Sequence, residues 1–301
     1  MSSAIKTIGM LGLGEVGVRI VHDLLQGTSA DIVIWDKQMS TAESQPWRNG
    51  QEFKDHDRVA FAQQPDTAFA GCDLVLSAVT AEQAIAAATL VAPSLSVGAW
   101  FVDFNSVAPR TKKKLATLIN PLGVGFVEAA IMSPIEPQRL TAPILLAGPH
   151  AEGFMVIGKQ LGFSRMQSCS SSYGKAAATK ICRSVIIKGM EALVSESMLT
   201  AKYYGVEQAV LDSLNNLFPR KDWPEHACYL ISRTLEHGER RAEEMSEAVI
   251  TVKEAGIEPL MTEACQVRQQ WAPQFNTSLI ETELDGLLTS IRQQLPKYTQ
   301  K

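Results

Sequence analysis

Short apolar runs alternate with amphipathic stretches along the first half of the chain. The apolar, partly β-branched runs predict strands at 4–10, 31–35, 59–61, 73–79, 100–104, 125–131 and 143–147. Helices are predicted directly after the first strand and over 80–92, 109–118 and 151–161, with Thr80 as a cap, whereas the polar stretch 37–57 is predicted to be irregular. This alternation predicts an α/β fold with a doubly wound parallel sheet, whose ligands bind beyond the carboxyl ends of the strands.

Helical periodicity replaces this pattern in the second half of the chain. Helices are predicted over 174–204, 206–217, 224–255, 258–271 and 279–295. The long third helix has a packing seam at four-three spacing, formed by Ile231, Leu235, Gly238, Ala242, Met245, Val249 and Val252. The serine-rich stretch 167–172 is interpreted as a joint, which predicts a sheet-containing domain at 1–168 and an all-helical domain at 169–301.

Composition and charge exclude several classes of function. The 301 residues leave room for two domains, and a net charge of −4 gives no indication of a nucleic-acid partner. The chain lacks an apolar run long enough for a membrane span, and its N-terminus leads almost directly into the first strand, without room for a signal peptide. The five cysteines are scattered and, with the histidines, show no metal-ligand spacing. We therefore expect a cytoplasmic protein with reduced thiols, no metal and a small-molecule substrate.

Three glycines between the first strand and the first helix have the spacing G-x-G-x-x-G. Gly12 would make the tight turn, Gly14 would let the backbone approach a pyrophosphate, and Gly17 would let the helix pack on the strand. A plain turn is the alternative for the glycines alone, but Asp36 ends the second strand where an acid should meet the adenosine ribose. The sequence therefore predicts a Rossmann-type nicotinamide dinucleotide site. Its predicted contacts are Gly12, Leu13, Gly14, Glu15, Val16, Gly17, Asp36 and Lys37, with Val79, Thr80, Asn105 and Ser106 further along the same crevice.

The charge of Asp36 bears on the choice of cofactor. A carboxylate accepts a hydrogen bond from a ribose 2′-hydroxyl and repels a 2′-phosphate, which predicts NAD rather than NADP. Lys37 follows directly and could pair with a phosphate, so NADP stays open.

Two segments of the first half resemble the β-hydroxyacid dehydrogenases, relatives of 6-phosphogluconate dehydrogenase. The segment 8–14 is similar to the opening of that family, and 103–109 resembles its D-x-S-T-x-x-P segment. The resemblance implies that Asn105 and Ser106 lie beside the nicotinamide. A helix-capping turn before Pro109 is the alternative for these two residues, and both roles are compatible.

The substrate segment of that family, D-x-P-x-S-G-G, falls at 128–134 and matches poorly. Glu128 is in step with the acid, but Ser133 comes one position late, and Ser133-Pro134 stand where the paired glycines belong. Those glycines let backbone N–H groups meet a carboxylate, whereas proline has no N–H to donate. This departure argues against the usual substrate, a simple 3-hydroxy acid.

The segment 174–184 resembles the family's G-x-G-x-x-x-K-x-x-x-N motif. Gly174 and Lys180 are in step, while Ala176 and Ser184 replace the second glycine and the asparagine. The resemblance implies that Lys180 is the catalytic lysine; without it, a solvated helix residue is the alternative. A lysine near other cations, a positive helix start and little water has a lowered pKa and can act as acid or base.

The other candidate substrate contacts lie close to Lys180 in sequence or on the long third helix. Lys180, Ser184 and Lys188 share a helix face, and 237–245 resembles a poorly characterised branch of the same superfamily. A half-buried histidine and solvated arginines paired with Glu236 and Glu244 are the alternatives on this helix. The candidate substrate residues are Ser133, Arg183, Ser184, Lys188, His237 and Arg241.

Together these features predict an oxidoreductase that transfers hydride between a nicotinamide cofactor and a small, anionic hydroxy acid or its keto form. An imine reductase, which shares this architecture, and a dinucleotide-binding sensor without turnover are the alternatives. A helix over 174–204 would be about 45 Å long, too long for one small helical domain to cover. In the resembled family such helices interlock between subunits, so we expect a homodimer built on residues 169–301.

Overall fold

The computed structural model describes residues 5–214 and 222–295. The chain divides into two compact units, Met1–Ile181 and Cys182–Lys301. The first contains the sheet and its flanking helices, and the second is helical. The domain boundary after residue 168 stays a prediction.

The first unit is built on one eight-stranded sheet. In space its strands follow the order β3-β2-β1-β4-β5-β6-β7-β8, and all neighbours are parallel except β6 and β7. The predicted doubly wound fold is confirmed, and one antiparallel pairing is added to it. The strands are β1 Thr7–Leu11, β2 Asp31–Trp35, β3 Val59–Phe61, β4 Leu74–Ser77, β5 Trp100–Asp103, β6 Gly125–Ile131, β7 Ile144–Ala147 and β8 Met166–Ser170.

Helices flank this sheet and form the second unit. Those of the first half are α1 Glu15–Gly27, α2 Gln45–Gln51, α3 Ala84–Val91, α4 Pro109–Ile119 and α5 Ala151–Gln160. Those that follow are α6 Lys175–Tyr204, α7 Glu207–Leu214, α8 Trp223–Glu254, α9 Leu260–Trp271 and α10 Leu284–Gln294.

Both faces of the sheet are buried, as the near-continuous apolar strands predict. Because successive side chains point to opposite faces, Met10 and Leu76 pack in one layer while Leu11 and Val75 pack in the other. The layer that contains Met10 includes α1 and α5, and the layer that contains Leu11 includes α3 and α4. The carboxyl ends of the central strands are thereby fixed as a rigid edge.

The antiparallel β7 brings the connection 132–143 to the same edge of the sheet as the carboxyl end of β6. This connection is tied to α1 by two ion pairs and a backbone bond. Arg19 Nε lies 2.8 Å from Glu136 Oε1, Arg139 Nη1 lies 3.2 Å from Asp23 Oδ1, and the Leu140 N–H donates to Asp23 Oδ2 at 3.4 Å.

Three local predictions in the first unit are wrong. The stretch 37–57 contains α2, whose first turn is capped by Ser44 Oγ accepting from the Trp47 N–H at 3.2 Å. The Thr80 hydroxyl makes no cap bond in the described chain; its carbonyl accepts from the Gln83 N–H instead, and a 3₁₀ turn, Ala81–Gln83, precedes α3. The sequence predicts no strand in the serine-rich stretch, whereas Met166–Ser170 pair with β7 as the last strand.

The second unit packs around α8. The predicted seam is buried from Ile231 to Val249, and Val252 at its end is half-buried. A Cβ on Gly238 would lie 2.4 Å from the Gln269 carbonyl oxygen, so this glycine permits the close approach of α9. The predicted last helix, 279–295, is shorter, because a 3₁₀ segment, Ala272–Ile280, precedes α10. The end of the predicted helix 206–217 lies outside the described residues.

Within the described residues, every helix is too short or too polar to cross a lipid bilayer. The same residues hold no cluster of three or more His, Cys, Asp or Glu side chains that could bind a metal ion.

Candidate active site

The glycine loop between β1 and α1 has the geometry of a phosphate cradle. Gly12 has a φ of +93°, and a Cβ there would lie 2.5 Å from the Ala78 carbonyl oxygen. A Cβ on Gly17 would lie 2.1 Å from the Gly12 oxygen, so α1 packs directly on the turn. Gly14 differs, because in the described chain no atom beyond Gly14 and its local backbone neighbours lies within 4 Å of the position its Cβ would take.

The space at Gly14 adjoins the N-terminus of α1. Gly14 is the N-cap residue and has no side chain to accept from the N–H groups of the first turn. Glu15 on this turn is exposed and Val16 is half-buried, so the backbone of the turn stays accessible. An anion such as a pyrophosphate fits this combination of open space and helix N-terminus.

Asp36 is fixed at the end of β2 by two backbone donors. Its Oδ2 accepts from the Leu13 N–H at 2.9 Å, and its Oδ1 accepts from the Gln38 N–H at 2.8 Å. A carboxylate has about four acceptor positions, so two stay available for ribose hydroxyls. Lys37 donates to Gln83 Oε1 at 2.7 Å.

Asn49 is a loop-positioning residue that the sequence analysis missed. Its Nδ2 donates to the Leu13 carbonyl oxygen at 2.7 Å, so the α2 segment supports the glycine loop from the side. Asn49 is buried and lies in the stretch predicted to be irregular. The Ser44-Gln45-Pro46 sequence, a cap residue followed by an early proline, is the signal that could have revealed α2.

Asn105 and Ser106 follow β5 on the same edge of the sheet. The Asn105 side chain is buried: Oδ1 accepts from the Val79 N–H at 2.7 Å, and Nδ2 donates to Ser77 Oγ at 3.0 Å and to Asp103 Oδ1 at 2.5 Å. Ser106 is half-buried. These bonds tie the end of β4 to the end of β5.

A buried ion pair lies beneath this junction. Lys112 on α4 donates to Asp103 Oδ2 at 2.5 Å, to the Asp103 carbonyl oxygen at 2.7 Å and to the Ala129 carbonyl oxygen at 3.3 Å. Both side chains are about 1% exposed. Burial raises the pKa of Asp103, and the adjacent Lys112 ammonium opposes that rise. The sequence does not reveal this pair, because Lys112 opens a run of three lysines that is typical of a solvated face.

Glu128 is placed differently from what its motif position suggests. It is fully buried in the middle of β6, and its carboxylate accepts from the N–H groups of Gly174 and Ala177, the latter at 2.7 Å. Gly174 has a φ of +94°, a conformation that glycine adopts without strain. Glu128 therefore caps α6, and the positive helix start that the sequence analysis assigned to Lys180 is already compensated by this carboxylate.

Lys180 lies in the second turn of α6, within the first unit, and is half-buried. Among three substrate candidates, Arg183 is exposed, while Ser184 and Ser133 are half-buried like Lys180. Ser133 Oγ donates to the Pro134 carbonyl oxygen at 3.0 Å. Direct substrate contact by these residues stays a prediction.

The remaining substrate candidates are found in ion pairs of the second unit. Lys188 pairs with Glu244 and Arg241 pairs with Glu191, and burial lowers the pKa of both cations, with Glu244 opposing the change. Gln269 Nε2 also donates to Glu191, at 3.3 Å.

His237 lies at the border of this cluster. Its Nε2 lies 3.1 Å from Glu236 Oε2, while Arg240 lies 3.2 Å from Glu244 on the same helix. The expected pairing of Arg240 is thus observed, whereas Arg241 is buried rather than solvated. Roles of His237, Lys188 and Arg241 in substrate binding stay predictions.

Comparison with known families agrees with this geometry. The family model described as the NAD binding domain of 6-phosphogluconate dehydrogenase matches residues 7–169, and a domain of unknown function, DUF1932, matches residues 201–272. A solved structure of a conserved hypothetical protein from Sinorhizobium meliloti is 31% identical, with a TM-score of 0.76 over 97% of this chain and 98% of that one.

Curated relatives are more distant. The human mitochondrial 3-hydroxyisobutyrate dehydrogenase is 21% identical over 228 residues, which cover 74% of this chain and 65% of that protein. The cytokine-like nuclear factor N-PAC of Xenopus tropicalis is 25% identical over 225 residues, 70% of this chain and 39% of its own length. The chain thus spans under two thirds of both of these relatives.

Proposed function

Because the chain belongs to the family of the 6-phosphogluconate dehydrogenase NAD-binding domain, we propose that it is an oxidoreductase acting on a small hydroxy acid or its keto form. Its NAD-binding fold is that of the 3-hydroxyacid dehydrogenases. The observation that supports cofactor use most strongly is the open space at Gly14 beside the uncapped start of α1, with Asp36 fixed at the end of the next strand. A bound nicotinamide would accept or supply the hydride.

Lys180 is the residue proposed to move the proton. Oxidation of an alcohol requires loss of the hydroxyl proton as hydride leaves carbon, and reduction requires its return. A half-buried lysine on a helix that is fixed at its start by Glu128 is held in a defined place relative to the sheet edge. The anionic substrate is proposed because Arg183, Lys188 and Arg241 are the cationic candidates, although the latter two already have carboxylate partners.

A screen of small hydroxy and keto acids, followed by cofactor absorbance, tests this proposal. We expect one class of acids to change the concentration of reduced cofactor, and we expect Lys180→Ala to slow that change strongly. Turnover of cyclic imines with no turnover of acids would favour an imine reductase instead.

A non-catalytic sensor is the second candidate, and one observation favours it. Ser133-Pro134 replace the glycine pair, and Glu128 is engaged as a helix cap, so the usual substrate segment is altered on both sides. Tight cofactor binding without turnover of any acid or imine would support this candidate.

The fixed Asp36 carboxylate leads to a prediction about the cofactor. A 2′-phosphate placed beside it would be repelled, so NADH is expected to bind more tightly than NADPH. Calorimetric dissociation constants at equal salt measure this preference, and tighter NADPH binding would contradict it. Lys37→Met serves as a control: a selective loss of NADPH affinity would show that Lys37 leaves Gln83 to pair with the phosphate.

We also expect a homodimer formed through the second unit. Ile186, Met190 and Leu193 lie on one stripe of α6 and are exposed, Ile186 by 64% and Leu193 by 58%. Ile186→Glu with Leu193→Glu should therefore shift the protein to a monomer in light scattering. Val97→Glu, at an apolar position of the first unit that is 83% exposed, is the matched control. A monomeric wild-type protein at micromolar concentration would refute the dimer.

A further inference from the structure

A buried chain of hydrogen bonds connects α4 with the turn after β4. Lys112 donates to Asp103 Oδ2, Asp103 Oδ1 accepts from Asn105 Nδ2, and Asn105 Oδ1 accepts from the Val79 N–H, with no distance above 2.7 Å. Asp103 and Lys112 are almost completely buried, and Asn105 is 4% exposed. Ser77 Oγ accepts from the second Nδ2 hydrogen at 3.0 Å.

Only one orientation of the Asn105 amide allows all of these hydrogen bonds to form. The Val79 N–H can only donate, so the amide oxygen has to face it. The Asp103 carboxylate faces the Lys112 ammonium through Oδ2 and accepts through Oδ1, so the amide nitrogen has to face Asp103. Both Nδ2 hydrogens of Asn105 are then used within the protein, which leaves no side-chain donor for a ligand.

The position of these hydrogen bonds on the sheet indicates which part of the cofactor they affect. Asp36 follows β2, where the adenosine side of the cofactor is proposed to bind, and the proposed pyrophosphate cradle lies between β1 and α1. In the order β2-β1-β4-β5, the other half of a dinucleotide extends over the carboxyl ends of β4 and β5. Val79-Thr80 and Ser106 follow those two strands.

We propose that Asn105 is a positioning residue rather than a direct cofactor contact. The Asp103–Lys112 pair fixes its amide, and the amide fixes the turn at Val79-Thr80 and the start of the segment at Ser106 for the nicotinamide half. This inference rests on the proposed use of a nicotinamide cofactor. It assigns Lys112 and Asp103, which have no role in the sequence analysis, to the nicotinamide end of the crevice.

Asp103→Asn tests the orientation without a change of shape. The ammonium of Lys112 requires the remaining oxygen of residue 103, so the new amide nitrogen faces Asn105 Nδ2. Asn105 must then turn over, and its nitrogen meets the Val79 N–H, so that two donors face each other. We expect the dissociation constant for NADH to rise about tenfold, the equivalent of one to two hydrogen bonds.

ADP-ribose distinguishes the two halves of the cofactor, because it lacks the nicotinamide. Isothermal titration calorimetry without any substrate should give an unchanged ADP-ribose affinity for Asp103→Asn and for the second variant, Asn105→Ala, whereas both bind NADH more weakly. Asp73→Asn is the matched control. The Asp73 carboxylate accepts from the backbone N–H groups of Lys6 and Thr7 at the opposite end of the sheet. Circular dichroism verifies that each variant is folded.

Each other outcome overturns the proposal. Unchanged NADH affinity in folded Asp103→Asn or Asn105→Ala would show that the amide does not position the cofactor. An equal loss of NADH and ADP-ribose affinity would show a general structural effect instead of a nicotinamide-specific one. If the wild-type protein binds neither ligand, the proposed function itself fails, and this inference fails with it.

Discussion

Replacing Lys180 by alanine is expected to lower turnover by roughly 10²–10⁴-fold, the usual cost of losing a general acid or base. Cofactor affinity should stay unchanged, because the groups proposed to bind the dinucleotide lie in the glycine loop and at Asp36. Lys180→Arg should be nearly as inactive, since a guanidinium stays protonated and cannot cycle between acid and base. Steady-state kinetics with the substrate found in the acid screen measure both variants.

An exposed lysine at the start of the same helix provides the control for Lys180. Lys175→Ala removes an equal charge from the first turn of α6 and should leave turnover within a few-fold. If Lys180 only binds an anionic substrate, Lys180→Arg should recover the rate while Lys180→Ala raises KM. A near-native rate for Lys180→Arg would therefore exclude proton transfer by Lys180.

Gly14→Ala is expected to abolish cofactor binding while leaving the free protein folded. Beyond Gly14 and its local backbone neighbours, the added methyl group meets no atom of the described chain within 4 Å, and the backbone of Gly14, with a φ of −76°, is one that alanine adopts. The same methyl group would occupy the space proposed for the pyrophosphate. Thermal unfolding of the variant should therefore match the wild type without NADH, and NADH should no longer raise the unfolding temperature.

Gly17→Ala provides the contrast to Gly14→Ala. Its Cβ would lie 2.1 Å from the Gly12 carbonyl oxygen, so the turn and α1 must move apart. This variant should unfold at a lower temperature even without NADH. Preserved NADH binding in Gly14→Ala would refute the proposed phosphate cradle, whatever the behaviour of Gly17→Ala.

The strand and helix order of the first unit can be predicted from the sequence because burial on both faces leaves a strong signal. Gly125–Ile131, which is buried at every position after the first, has the bounds that its apolar run predicts. The direction of β7 cannot be predicted in this way, since a parallel and an antiparallel strand bury the same residues. The last strand escapes prediction because Met166–Ser170 lie at the edge of the sheet, where polar residues are tolerated.

In the candidate site, too, the features that a local sequence pattern specifies could be predicted, whereas the buried partners of individual charged residues could not. The glycine spacing is a local pattern, so the turn at Gly12 follows from it, whereas the bond from the Leu13 N–H to Asp36 is not predicted from the sequence. The partners of Glu128 lie far away in sequence, whereas Asp103, the partner of Lys112, is only nine residues away; neither Glu nor Lys as a residue type indicates burial. A motif comparison placed Glu128 at a substrate segment, whereas its contacts make it the cap of α6.

The tied connection 132–143 offers a way to redesign this protein. It leaves and rejoins the sheet at neighbouring antiparallel strands, so its ends stay close together whatever its internal sequence. Its attachment to α1 depends on Glu136 and Arg139 on its own side, and on Asp23 and Arg19 on the helix. A library that keeps those four residues and the buried Ile135, Leu140 and Ala142, and randomises the other positions around Ser133, would test whether Ser133 contacts substrate, at little risk to the core.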